Sequence, residues 1–427
     1  MACLFKNVYA YDGQMSHAYL CDVLVEKGYI SRIEGAGRIA EEHFSLIDCD
    51  GKKALLPGFV NGHTHAAMTL LRGLGEETPL MTWLKEQIWP IEAKLTPERI
   101  YWGTAIALLE MASCGVTCFA DMYFEMDQVA QAAEMMGMKC GLSRGLIGDD
   151  PKRIEENLIL IDEWHGKNGL ITVQLGPHSP YTVPMAAMKT IASLAIERNV
   201  RVHTHFLETE WELSYLEDEL HCHPVDYLEK VGLLETPGTI LAHGVWFPVE
   251  DISSLIGTNV TISHNPNSNL KLGSGIMPLP QMLNAGLHVS LGTDGAASNN
   301  RLDIWEEMRH AALIHKGVHK DPTIVRAKEL LNMATLWGAQ SLGFEKTGLI
   351  REGWDADLVL IDLDTPHYLG FDEENLPVYI VYAGSSADVE ATMVKGRWIY
   401  FNGEFPSVDR EEILSQAAEA RKNLIRK

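Results

Sequence analysis

Eight apolar segments rich in β-branched residues alternate with stretches of helical periodicity through the middle of the chain. This alternation is the strongest constraint on the fold, because strands that alternate with helices assemble into parallel sheets. Eight such units predict an α/β protein built on a closed (β/α)8 barrel of the TIM type. The predicted strands are 54–65, 116–122, 140–146, 171–178, 200–208, 239–245, 259–266 and 288–295, with helices among others at 97–113, 185–198 and 301–315.

The two ends of the chain have a different pattern, with short β-like segments separated by turns. We therefore predict a small flanking β-sandwich domain to which both termini contribute. The predicted division is 1–55 for its N-terminal part, 56–345 for the barrel, and 346–427 for its C-terminal part with a charged terminal helix.

Composition narrows the classes of partner and location. The formal net charge is −23, whereas binding nucleic acid requires clustered lysine and arginine, so no nucleic-acid partner is expected. The seven cysteines are odd in number and include no Cys-x-x-Cys pair, which fits a reducing compartment. No secretory signal and no apolar run long enough to span a bilayer are visible, so we expect a cytoplasmic protein without a membrane partner.

Polar and ionisable residues stand at the ends of nearly all the predicted strands. The carboxyl ends of barrel strands meet at one rim, where the chemistry of this fold takes place. Solvated surface residues would instead scatter around the fold. The strand-end residues are His63, His65, Asp121, Arg144, His178, His203, His205, Glu208, His243, His264 and Asp294.

Part of this set has the composition of a metal site. His63 and His65 are two residues apart on one strand and so point the same way. Together with a histidine of 200–208 and Asp294, they would supply three imidazoles and one carboxylate, which suit Zn2+, with Fe2+ as the alternative. We choose His205 over His203 because it stands closer to the strand end.

Several motifs together resemble the amidohydrolase superfamily over nearly the whole chain. They are His63-Thr64-His65, His205 with Glu208, His243, and Thr293-Asp294-Gly295. Binuclear members of that superfamily carry a bridging lysine near strand 4, and 171–178 contains none, so the resemblance is to the mononuclear branch with one metal ion per subunit. Within that branch, the segments 89–92, 143–146, 176–181 and 203–209 are similar to deaminases of 5'-methylthioadenosine and S-adenosylhomocysteine.

The resemblance implies a role for each residue. It implies that zinc binds to His63, His65, His205 and Asp294, and that Glu92 accepts both ribose hydroxyls. Arg144, Arg153 and His178 would contact the ribose or its 5'-substituent, although a solvated surface charge is an equal reading of Arg153. Glu208 would bind the purine and protonate its ring, His243 would orient the attacking water, and Asp294 would carry its proton to the departing ammonia.

Three alternatives stand beside this hypothesis. A triazine or guanine aminohydrolase or chlorohydrolase would use the same scaffold, but a flat base does not need Glu92. A binuclear cyclic-amide hydrolase would need a bridging lysine, which this chain lacks in 171–178. A non-catalytic scaffold protein would be expected to have lost some of the metal ligands, whereas all four are present here. Self-association, which is common among such barrels, stays open. His264 is expected behind the site or as a structural residue, and Met68, Trp83 and Trp89 are candidates for an apolar pocket.

Overall fold

The computed structural model describes residues 2–41 and 44–426, and its first five strands belong to a sheet beside the barrel. This sheet has eight strands, five from the N-terminal part of the chain and three from its C-terminal part. The N-terminal strands are β1 (Cys3–Ala10), β2 (Tyr19–Glu26), β3 (Tyr29–Gly35), β4 (Ser45–Asp48) and β5 (Lys53–Pro57).

The barrel follows at once and consists of eight parallel strands that neighbour one another in chain order. They are β6 (Phe59–Thr64), β7 (Val116–Tyr123), β8 (Lys139–Leu146), β9 (Ile171–Pro177), β10 (Val202–Phe206), β11 (Thr239–His243), β12 (Val260–His264) and β13 (Val289–Leu291). The flanking sheet is completed by β14 (Leu358–Asp362), β15 (Val389–Val394) and β16 (Arg397–Phe401). Its strand order is β16-β15-β14-β5-β1-β2-β3, with β4 paired to β1. The predicted fold class is confirmed, and the flanking domain is one connected mixed sheet; its exact limits at 55 and 345 stay a prediction.

Helices cover the barrel between its strands, and 97–113 and 185–198 are helical as predicted. The α-helices are α1 (Leu80–Thr82), α2 (Trp89–Glu92), α3 (Pro97–Ser113), α4 (Met126–Met136), α5 (Pro151–Trp164), α6 (Met185–Arg198), α7 (Glu210–Ser214), α8 (Pro224–Lys230), α9 (Pro266–Lys271), α10 (Leu279–Asn284), α11 (Ile304–His319), α12 (Ala327–Met333), α13 (Leu336–Ser341), α14 (Leu376–Tyr382) and α15 (Arg410–Ile425). Within the described residues, no helix is long and apolar enough to cross a bilayer.

The predicted first barrel strand, 54–65, is two strands that belong to different sheets. β5 pairs antiparallel with β14 of the flanking sheet, whereas β6 pairs in parallel with β7 of the barrel. The change occurs at Gly58, whose N–H donates to the carbonyl of Asp357 at 2.9 Å. A Cβ at Gly58 would lie 2.1 Å from Thr117, so only glycine fits between the two sheets.

The barrel closes between its last and first strands through the polar groups that follow β13. The N–H of Thr293 donates to Asn61 Oδ1 at 2.9 Å, and Asn61 Nδ2 donates to Thr293 Oγ1 at 2.7 Å. The N–H of Asp294 donates to the carbonyl of His63 at 2.9 Å. This closure brings Asp294 beside the histidines of the first strand.

Candidate active site

Three histidines and an aspartate meet at the carboxyl rim of the barrel. Asp294 Oδ1 lies 3.3 Å from His65 Nε2 and 3.6 Å from His63 Nε2. His205, at the end of β10, places its Nε2 3.3 Å from that of His65. The four residues predicted as metal ligands are therefore brought together, although β6 and β13 are more than two hundred residues apart in sequence.

The outer nitrogen of each imidazole has a hydrogen-bond partner of its own. His65 Nδ1 donates to the carbonyl of Met122 at 2.5 Å, and His205 Nδ1 donates to the carbonyl of His178 at 2.9 Å. His63 Nδ1 lies 2.9 Å from His203 Nε2. An imidazole that donates from Nδ1 carries its lone pair on Nε2, so the two carbonyl partners prepare the inner nitrogens of His65 and His205 to act as ligands. His203 thus contacts the outer nitrogen of His63.

The cluster fits a divalent metal ion. His63 Nε2 is buried and has no hydrogen-bond partner among the described residues, which is a costly state unless a ligand occupies the space before it. Ligand atoms of His63, His65 and Asp294 lie within 4.8 Å of one another, as do those of His63, His205 and His243. Burial, reinforced by neighbouring imidazoles, lowers the pKa of His63 and of His205, so both are neutral as metal binding requires.

Hydrogen bonds hold the carboxylate of Asp294 in one orientation. Its Oδ2 accepts from Ser268 Oγ at 2.6 Å and Ser298 Oγ at 2.9 Å, and its Oδ1 accepts from the N–H of Gly295 at 2.7 Å. Burial opposes ionisation, but nearby His65 and His243 and these donors outweigh it, so the pKa of Asp294 lies below its ordinary value. Asp294 is therefore ionised at neutral pH.

Glu208 has the opposite environment. Burial, with the nearby charge of Asp294 as a second cause, raises the pKa of Glu208 to about 8. Its Oε2 lies 3.8 Å from His243 Nε2, and His243 Nδ1 contacts Asn269 Oδ1 at 2.9 Å. Two carboxyl groups with pKa values shifted apart can act as an acid and a base at one site.

Three residues at this site adopt left-handed backbone conformations, which are unusual for residues other than glycine. They are Leu207, with φ 54°, His243, with φ 78°, and Asp294, with φ 61°. Such conformations cost about 1–3 kcal/mol each and persist where the surroundings enforce them. Two backbone hydrogen bonds hold these conformations here. The N–H of Trp246 donates to the carbonyl of Leu207 at 3.0 Å, and the N–H of Asp294 donates to the carbonyl of His63.

A cavity of about 410 Å³ opens in front of the cluster. Its wall includes the predicted apolar residues Met68, Trp83 and Trp89. Glu92 and His178 also line it, together with the cluster members His65, His205, Glu208, His243 and Asp294. Burial raises the pKa of Glu92, and a hydrogen bond from Tyr123 partly opposes that shift. The cavity thus offers an apolar wall and a few polar groups, as small-molecule sites do.

Arg144 and Arg153, which the sequence predicts to contact the substrate, do not line this cavity. Arg144 pairs with Glu156, its Nη2 lying 2.7 Å from Oε2, and lies 3.8 Å from Glu125. Arg153 is exposed, and its Nη1 lies 3.5 Å from the carbonyl of Ile147. Their contacts with substrate stay a prediction. To make them, each guanidinium would have to leave its present partner. His264 faces His315, 3.5 Å away, and not the cavity.

Other residues support the site without being singled out in the sequence for that role. Asp121 Oδ1 accepts from Thr64 Oγ1 at 2.8 Å and from the N–H of Ala66 at 2.6 Å, which fixes the turn after His65. Ser268, in α9 after β12, and Ser298, in the loop after β13, hold Asp294. The strand-end rule finds Asp121 but not the serines, because their positions depend on how the chain runs beyond the strands.

This fold, with neutral imidazoles, an ionised aspartate and a protonated glutamate at the carboxyl rim, defines a metal-dependent hydrolase of the barrel class. The model of the amidohydrolase family matches residues 54–399, and the chain belongs to that family. This confirms the resemblance of its motifs to the amidohydrolase superfamily.

Proteins of known sequence or structure are similar to this chain over nearly its whole length. The chain is 41% identical over 413 residues, 95% of each chain, to a 5-methylthioadenosine/S-adenosylhomocysteine deaminase of Dictyoglomus turgidum. It is 40% identical to a 5'-deoxyadenosine deaminase of Methanopyrus kandleri, covering 93% of this chain and 94% of the relative. Among solved structures, a zinc-bound adenosine deaminase from Xanthomonas campestris superposes with a TM-score of 0.92 at 31% identity, covering 99% and 98% of the two chains. A zinc complex of atrazine chlorohydrolase from Arthrobacter aurescens gives 0.88 at 25%, covering 98% and 100%.

Proposed function

We propose that this protein catalyses the hydrolytic deamination of 5'-substituted adenosines to the corresponding inosines and ammonia. The observation that carries the proposal is the pairing, in one cavity, of Glu92 with the protonated Glu208 beside the histidine–aspartate cluster. Glu92 offers a diol acceptor, and Glu208 offers an acid for a heteroaromatic ring. The deaminases at 40–45% identity support the same reaction.

The metal assignment is part of the proposal. His63, His65, His205 and Asp294 would hold one ion, for which we propose Zn2+, the metal bound in two structural relatives. When bound, such an ion lowers the pKa of a water molecule to roughly 7. The remaining steps fall to side chains of this chain.

The proton transfers follow from the two shifted carboxyl groups. Glu208 donates its proton to the purine nitrogen next to C6, which makes that carbon electrophilic. Asp294 takes a proton from the water that adds to C6, and His243, held through Asn269, orients the attacking oxygen. Asp294 then passes its proton to the amino group, the C6–N bond breaks and ammonia leaves, while the remaining proton of the added hydroxyl returns Glu208 to its protonated form. One water is consumed for each ammonia released.

The cavity also bears on the 5'-substituent. Among the described residues, no lysine or arginine lines it, and Arg144 is neutralised by Glu156. Small uncharged substituents meet the apolar wall, whereas the amino-acid end of S-adenosylhomocysteine carries an ammonium and a carboxylate that require partners. His178 is proposed to contact the ribose side. Arg144 and Arg153 would serve the longer substrate only after leaving their present partners.

Ammonia release from zinc-loaded protein tests the proposal. We expect turnover of 5'-methylthioadenosine and 5'-deoxyadenosine, ahead of S-adenosylhomocysteine, and little release from adenine, guanine or a chlorotriazine. Release from guanine or the triazine alone would favour the alternative of a triazine or guanine-type hydrolase, whose fold atrazine chlorohydrolase shares. No release from any compound, with zinc bound, would favour a non-catalytic scaffold.

Replacement of Glu92 by Gln tests the ribose contact. Hydrogen bonds to charged acceptors are stronger than those to neutral ones, by enough to change binding about tenfold. E92Q is therefore expected to raise KM for 5'-methylthioadenosine about tenfold or more and to leave residual turnover of adenine unchanged. Glu86→Gln, an exposed change on the same helical segment, is the matched control. A similar loss on adenine would remove the ribose role from Glu92.

We also propose a cytoplasmic location, which the odd number of cysteines without a Cys-x-x-Cys pair supports. Self-association stays a prediction, which sedimentation of the purified chain would test.

A further inference from the structure

Tyr123 stands between the barrel and the carboxylate proposed to bind ribose. It is the last residue of β7, and its ring centroid lies 6.0 Å from that of His65. Its side chain is buried, and its hydroxyl donates to Glu92 Oε1 at 2.6 Å. A phenol buried beside the site normally has one fixed partner, and here that partner is Glu92.

Glu92 ends a helical segment, 80–92, that covers the cavity. The segment contains a π-helical turn, Trp83–Ile88, and contributes Leu80, Trp83, Leu84 and Trp89 to the cavity wall. Among the described residues, two side-chain hydrogen bonds tie it to the rest of the chain. One joins Trp83 Nε1 to the carbonyl of Leu74, in a loop, and the other is the Tyr123–Glu92 bond, which alone reaches a barrel strand.

The chemistry of a carboxylate gives this bond a consequence. A carboxylate has about four acceptor positions on two oxygens. Tyr123 occupies one of them on Oε1, and the others remain for the two hydroxyls of a ribose. The bond therefore determines which way the free lone pairs face, and it holds the covering segment at a fixed distance from the metal cluster.

We propose that Tyr123 is a positioning residue for the ribose: through its hydroxyl it fixes Glu92, and with it the segment 80–92, in the orientation that binds the 2'- and 3'-hydroxyls. This inference rests on the proposed function. Tyr123 acts through Glu92 and takes no part in the proton transfers, so its removal affects substrate binding and not the chemical step.

Tyr123→Phe removes the hydroxyl alone and keeps the packing of the ring. For 5'-methylthioadenosine we expect KM to rise about tenfold and kcat to change less than about twofold. For 2',3'-dideoxyadenosine, which has no diol to be positioned, Y123F and the wild type should give the same kcat/KM. In E92Q the carboxylate that Tyr123 would position is already absent. The double variant E92Q/Y123F should therefore have the same KM for 5'-methylthioadenosine as E92Q.

Tyr101→Phe is the matched control, because that hydroxyl contacts Met135 Sδ at 3.0 Å and does not line the cavity. An unchanged KM in Y123F, an equal loss on the dideoxy substrate, or a fall confined to kcat would each overturn the inference. Failure of the proposed function gives a different result, since the wild type itself would then release no ammonia from any adenosine. Thermal unfolding and zinc content of each variant, measured in parallel, separate a folding defect from these outcomes.

Discussion

Asp294→Asn is expected to lower kcat by about 10³-fold or more. The variant keeps the shape of the side chain but removes the charge and the capacity to take a proton. Ser268 and Ser298 now donate to an ionised Oδ2, and an asparagine would place either an amide N–H₂ or a weaker acceptor there.

Metal analysis alongside the kinetics separates the two roles given to Asp294. Loss of zinc together with activity would show that its ligand role dominates, whereas retained zinc with lost turnover would show the proton-transfer role. Asp162→Asn makes the same chemical change at a surface ion pair with Arg198 and should leave both quantities unchanged. Near-normal turnover in D294N would mean that the base is elsewhere.

Glu208→Gln is expected to lower kcat by about 10²–10⁴-fold while leaving KM and zinc content nearly unchanged. A glutamine can still donate a hydrogen bond to the purine nitrogen, but it cannot transfer a proton. The exposed Glu210→Gln, two residues further on, is the matched control. A variant that lost zinc or binding in proportion to activity would contradict the role of Glu208 as an acid.

The pH profile provides a second reading of Glu208 in the same experiment. Burial raises the pKa of Glu208 to about 8, so the group holds its proton below that pH and loses it above. Because the protonated form is the active one, wild-type kcat should decline as the pH rises through this range. The alkaline decline should be absent from the residual activity of E208Q.

The ligand set was accessible to sequence reasoning because it depends on strand ends. The last residues of a barrel strand lie at the carboxyl rim regardless of the paths of the loops. The strand-end positions of His63, His65 and His205 therefore predict that they lie close together. Arg144 also stands at a strand end, but its long side chain reaches Glu156 on α5. Where a flexible side chain goes is decided by its neighbours in space, which the spacing of motifs does not contain.

The residues that hold the site in place were less accessible. Ser298 follows Asp294 by four residues, and its hydroxyl donates to Oδ2 in a loop where Asp294 itself adopts a left-handed conformation, which the spacing alone does not predict. The split of 54–65 into β5 and β6 has a similar origin. An apolar run of this length predicts a strand, but its division at Gly58 follows from two sheets that meet there.

By itself, the sequence determined the eightfold alternation of strands and helices, the kinds of residue that gather at the carboxyl rim, and the family to which they belong. These features are local, because a period of two or 3.6 and the residue that ends a strand are written in consecutive positions. Only the tertiary structure decided which nitrogen of each histidine faces the cluster, which carboxyl keeps its proton, and that Tyr123 donates a hydrogen bond to Glu92. Those properties depend on burial and on contacts between distant segments, and burial is what shifts a pKa and fixes the partner of a hydrogen bond.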